Sequence, residues 1–193
     1  MNFEPIEKIT RINKTRLGML LFLGSEMIFF IFLISAYIYY HGNVKGGPTA
    51  HSSLDPLKTG IYTVILLSSS GTIWLAERAF RRQSRAFPIW MAVTILCGIT
   101  FLYGEIREYM KMLHQDITIT RNVFGSTYFT LTGFHAAHVT IGLLLLSTLL
   151  GLSLRDRLRK GHGAAVESIS YYWHFVDLVW AVVFSTIYLW STR

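Results

Sequence analysis

The chain has 193 residues, 52% of them hydrophobic and only 15% charged, with a formal net charge of +7 and a mean hydropathy of +0.41. A soluble domain carries about 25% charged residues, and a surface of this size needs more charge than the sequence supplies. Four prolines and a single cysteine, Cys97, exclude disordered and disulfide-scaffold classes. The composition is that of an integral membrane protein.

Five apolar runs are long enough to cross about 30 Å of hydrocarbon at about 1.5 Å per residue. They are 17–40, 57–77, 86–108, 124–150 and 171–190. None shows the dyad alternation of a membrane barrel. The expected fold is therefore all-α: a polytopic bundle of five transmembrane helices forming one domain over 1–193. The segment before the first run carries Glu4 and Glu7, and the run is too long for a secretory signal.

The first span contains Glu26, about nine residues from its start. An ionised carboxyl in a span costs several kcal/mol by most estimates. Glu26 is therefore expected to be a neutral acid bonded to a neighbouring helix, or a proton-linked or lipid-facing group. The second span carries Ser68-Ser69-Ser70-Gly71, small residues that permit close helix contact, and Glu77 lies one turn before Arg81.

The third span ends with Glu105 and Glu108 beside Arg107 and Tyr109, read as a solvated interfacial network. The fourth carries His135 and His138, three apart and on one face. The fifth carries His174 and Asp177 at the same spacing. Two histidines facing a histidine and an acid can build a metal site in a bundle core. Interhelical hydrogen bonds explain the same residues without a metal. Aromatic residues near the span ends (Tyr39, Tyr40, Trp90, Tyr171, Tyr172, Trp190) are read as the interfacial belt.

The basic residues set the expected orientation. Twelve of the eighteen fall in the N-terminal segment (Lys8, Arg11, Lys14, Arg16), the second loop (Arg78, Arg81, Arg82, Arg85) and the fourth (Arg155, Arg157, Arg159, Lys160). The other side has Lys45, Lys58, Arg107, Lys111, Arg121 and Arg193. This bias predicts a cytoplasmic N-terminus and a periplasmic C-terminus. The net charge is thus a topology signal and not a nucleic-acid footprint. There is no phosphate loop, catalytic triad or haem attachment motif. The absence of an internal repeat disfavours an inverted-repeat transporter.

The fourth span, running Phe124-Gly125-Ser126-Thr127-Tyr128 to Thr132-Gly133-Phe134-His135-Ala136-Ala137-His138-Val139, resembles that of subunit III of the haem-copper terminal oxidases. So does the C-terminal stretch: Glu167, then Tyr172-Trp173-His174-Phe175-Val176-Asp177, then Val179-Trp180. Ser25-Glu26 with Phe29-Phe30, and Glu108-Tyr109, are similar to further motifs of that family.

The resemblance implies a non-catalytic subunit of a bacterial cytochrome c oxidase in the inner (plasma) membrane, a short form lacking two N-terminal spans. It implies no cofactor in this chain, with haem and copper held by subunits I and II. It also implies bound phospholipid and a role in sustaining proton uptake by subunit I. Glu26 falls on the family's carbodiimide-reactive glutamate. Glu26, Glu108, His135, His138, Glu167, His174 and Asp177 are the matching polar positions. Their expected role is structural, lipid-linked or proton-linked. Cytochrome c is the expected donor to the complex. A quinol oxidase subunit III, the nitric oxide reductase accessory homologue and a histidine-ligated intramembrane metalloprotein are the alternative readings.

Overall fold

In a computed structural model the described residues are 14–43, 54–120, 123–158 and 160–190. Among them there are helices and no strands, and five helices are long and apolar enough to span a membrane. They are α1 (Lys14–Asn43), α2 (Pro56–Arg81), α3 (Phe87–His114), α4 (Val123–Leu154) and α5 (Gly163–Phe184). A π-helical stretch, Ser185–Trp190, continues α5. Of the residues used to orient the chain, Lys8, Arg11, Lys45, Arg121, Arg159 and Arg193 lie outside the described residues, as do Glu4 and Glu7.

Local sequence explains the helix ends. Asp55 caps α2 by accepting from the Lys58 backbone N–H at 3.3 Å, and Pro56 follows where no N–H is needed. A hydrogen bond from the Lys58 side chain holds the Asp55 carboxyl below its usual range. The helices α2, α3 and α4 each stop on a left-handed residue: Gln83 (φ 53°), Asp116 (φ 58°) and Asp156 (φ 52°). After each, a backbone N–H reaches back to close the helix: Ser84 to Ala79, Ile117 to Met112 and Arg157 to Leu152.

The last helix starts eight residues before the expected Tyr171, at Gly163, so Glu167 lies within it. The short helical turn Lys160–His162 leads directly into it, and apolar Val166 and half-buried Ile169 pack inward from its first turns.

The helix α5 packs against α1, α2 and α4, while α4 also packs against α1 and α3, and α2 against α3. Trp173 and Trp180 of α5 are fully buried at the centre. Lipid gives helices no hydrophobic reason to associate, so close packing and hydrogen bonds must hold them. Glycine makes room for the first of these tryptophans: a Cβ on Gly98 or Gly142 would lie 2.7 or 2.8 Å from the Trp173 ring. By contrast, α1 is peripheral, with Phe30 and Tyr37 the fully buried residues among those described.

Candidate functional site

Midway through the bundle, α2 and α5 are joined by a directed set of hydrogen bonds. The Trp173 indole N–H donates to Ser69 Oγ at 2.8 Å, so the Ser69 hydroxyl is left to donate to Asp177 Oδ2 at 3.4 Å. Ser70 Oγ donates to the same carboxyl oxygen at 2.5 Å and accepts from His174 Nδ1 at 3.1 Å. One turn on, Trp180 Nε1 donates to Thr63 Oγ1 at 2.9 Å. The Ser run read as a packing surface thus supplies donors to Asp177 as well.

Between α1 and α4, His138 Nε2 lies 3.0 Å from Glu26 Oε2, and its Nδ1 lies 2.7 Å from the Phe134 carbonyl oxygen. Tyr172, read as a belt residue, is buried and donates its hydroxyl to the His138 carbonyl at 3.1 Å. Its neighbour Phe22, at 6.4 Å, and the α1 helix cover it, which is why it does not reach an interface. Tyr39, Tyr40, Tyr171 and Trp190 are exposed as expected of such a belt.

His135 is separated from His138. It is fully buried among Trp180, Phe101 and Phe30, and neither ring nitrogen has a hydrogen-bond partner among the described residues. The four ligating side chains of the metal reading therefore do not converge. No group of three potential ligands occurs among the described residues.

The end of α3 differs from the expected solvated network. Glu108 accepts from Tyr188 at 2.6 Å, from Thr59 at 3.0 Å and from Tyr128 at 3.4 Å, tying α2, α3, α4 and the end of α5 together. Glu105 is buried, 6% exposed, and neither of its oxygens has a hydrogen-bond partner among the described residues. The cause is helix phase. Positions 101, 104, 105 and 112 face the core, whereas Arg107 lies outside and donates to Tyr103 at 3.1 Å. Tyr109 bonds Thr132 of α4 at 2.6 Å. The hydroxyls of Tyr128, Tyr188 and Thr59 were not evident as partners, because they come from three other helices.

At the opposite end of the bundle, Arg16 of α1 meets Glu167 of α5 at 2.7 Å, and Tyr171 donates to the same carboxylate at 2.7 Å. Arg81 pairs with Glu77 as the spacing predicts and also reaches Glu167 at 4.0 Å. Three elements that carry the basic clusters thus share one end.

These observations define a polytopic helical membrane protein whose intramembrane polar residues mostly bond helix to helix. Residues 6–192 match the family Cytochrome c oxidase subunit III, and the chain belongs to that family. It is 36% identical over 191 residues to the cytochrome c oxidase subunit 3 of Corynebacterium diphtheriae, covering 96% of this chain and 92% of that one. It is 35% identical over 186 residues to the Bacillus subtilis protein of that name, covering 95% and 90%. The Pongo pygmaeus protein of that name is 35% identical over 187 residues, covering 92% of this chain and 70% of its own. The chain is therefore a multi-pass subunit of the kind that assembles with other oxidase subunits.

Proposed function

We propose that this chain is the subunit III of a bacterial cytochrome c oxidase, carrying no redox centre and supporting the subunit that does. It lies in the plasma membrane with its N-terminus in the cytoplasm, flanks subunit I in a complex that also contains subunit II, and holds phospholipid. Its function is to keep subunit I assembled and its proton uptake sustained, while haem and copper stay in the partners.

The observation that carries this reading is the use made of the motif residues. Glu26, Glu108, His138, Glu167, His174 and Asp177 each take part in a hydrogen bond that crosses directly to another helix, His174 and Asp177 both to Ser70 of α2. Residues committed in this way stabilise a scaffold. The gathering of Arg16, Arg81 and Glu167 at one end supports the cytoplasmic assignment of that end.

The test is isolation of the chain from native membranes under mild detergent, followed by a visible spectrum and oxidation of reduced cytochrome c. Haem bands, and a large haem protein co-purifying in equal amount with cytochrome c oxidation, are expected. A chain that emerges alone, or with a complex that oxidises only quinol, would overturn the assignment.

A further inference from the structure

One exposed face of α2 carries Leu67, Gly71, Trp74 and Arg78 at spacings of four, three and four, so the four stand in a row along the helix. The Arg78 guanidinium lies over the Trp74 ring, 5.4 Å from its centroid. Arg78 has no carboxylate partner among the described residues, whereas Arg81 pairs with Glu77 and reaches Glu167. Trp74, Glu77, Arg78 and Arg81 line a groove of about 310 Å³ at this end of the span. Beneath the indole the row is notched, since nothing lies within 4 Å of a carbon added at Gly71.

We propose that this groove seats one anionic phospholipid, with its phosphodiester on Arg78 and one acyl chain running past Gly71 onto Leu67. The proposal rests on the reading that the chain holds phospholipid, and gives that lipid a class and a place. Shape argues for a lipid over a free anion. Seven residues of helix put Gly71 about 10 Å deeper than Arg78. A ligand that meets both must carry a charged head and an apolar tail, while inorganic phosphate would satisfy Arg78 alone.

Charge selects the headgroup. Two arginines and one glutamate leave the groove one positive charge, which a single phosphodiester neutralises. Glu77 is already committed to Arg81, so the ammonium of a choline or ethanolamine head would find no free carboxylate and would face Arg78. A phosphatidylglycerol head brings hydroxyls in its place. The guanidinium also suits the task. Resting on the indole face, it keeps N–H edges free, and its planar fork matches two phosphate oxygens at once.

The experiment uses the full chain in its native complex, stripped of loosely held lipid in mild detergent. The probe is phosphatidylglycerol with a diazirine in the upper part of one chain, and crosslinks are mapped by peptide mass spectrometry. Labelling is expected on α2 between Leu67 and Arg78. Unlabelled phosphatidylglycerol should compete, whereas phosphatidylcholine with the same chains, glycerophosphoglycerol and inorganic phosphate should not. Arg78→Gln should weaken binding about fivefold, the scale of one arginine near an anionic membrane surface. Gly71→Leu, which fills the notch, should also displace the lipid, and Arg107→Gln on α3 should leave labelling unchanged. Equal competition by phosphatidylcholine, displacement by inorganic phosphate, or full labelling of Arg78→Gln would each overturn the proposal. Labelling confined to other helices would overturn the seat and leave the phospholipid reading standing, while a chain with no label at all would overturn both. Should a variant fail to assemble, the wild-type crosslink map and its competition series decide alone.

Discussion

The imidazole of His135 stacks on the indole of Trp180, with ring centroids 4.7 Å apart and planes 28° from parallel. Stacking of this kind contributes about 0.5–1.5 kcal/mol, whereas a buried polar group without a partner costs about 1–3 kcal/mol. The two effects nearly cancel. We expect His135→Leu to leave thermal stability and assembly of the complex within about 1 kcal/mol of wild type. We also expect elemental analysis of the isolated chain to show no stoichiometric iron, copper or zinc. A metal lost on this substitution would restore the metalloprotein reading.

Trp173 gives a prediction with the opposite sign. A methyl group added at Gly98 or Gly142 meets a rigid ring that has no free space to retreat into. Gly142→Ala and Gly98→Ala should each lower stability by about 1–3 kcal/mol, as overpacked cores do. The control is Gly71→Ala, where nothing lies within 4 Å of the new carbon and stability should hold or rise. Denaturant titration of the three variants in one detergent compares them directly.

Asp177 receives two serine hydroxyls from α2 on one oxygen. Replacing it with Leu removes the acceptor and strands both hydroxyls. A loss of about 1–2 kcal/mol is expected, the scale of an interhelical hydrogen bond in lipid. Asp177→Asn keeps a carbonyl oxygen in the same place and should lose distinctly less. Equal losses in unfolding midpoint for the two variants would show that the hydrogen bonds are not what Asp177 supplies.

The left-handed terminus of α4 predicts a gain. Asp156 is exposed, and its φ of 52° is a conformation glycine adopts without strain. Asp156→Gly should raise stability by up to about 1 kcal/mol. Gln83→Gly should gain less, because the Gln83 amide also donates to the Phe80 carbonyl at 2.9 Å and that bond is lost. Thermal unfolding ranks the two.

Legibility in the sequence followed the distance over which each feature is specified. Span number and type are local, set by runs of some twenty apolar residues, and all five were readable. The Glu77–Arg81 pair was readable for the same reason, being one helical turn apart. Pairings between helices were not. His135 and His138 share a face by spacing, yet the residues opposite them differ: Phe30 and Trp180 enclose the first, and Glu26 meets the second. Glu105 and Glu108 were placed at an interface because they sit near a span end. Helix phase, which depends on where α4 and α5 dock, turns them inward. The early start of α5 was hidden because Glu167 and the serines after it read as loop until Arg16 and Tyr171 supply partners.

The separation of Glu26 from His138 by 112 residues also has a bearing on how the protein is made. Chains grow at about 5–20 residues per second, so α1 enters the bilayer on the order of ten seconds before its partner histidine has been synthesised. Throughout that interval the carboxyl has no ring nitrogen to bond. A glutamate can wait in this position as a neutral acid, whereas an arginine would have to wait as a cation. The last helix to emerge brings Glu167 for Arg16, 151 residues after it, and so fastens to the bundle a first helix that has been waiting at its edge.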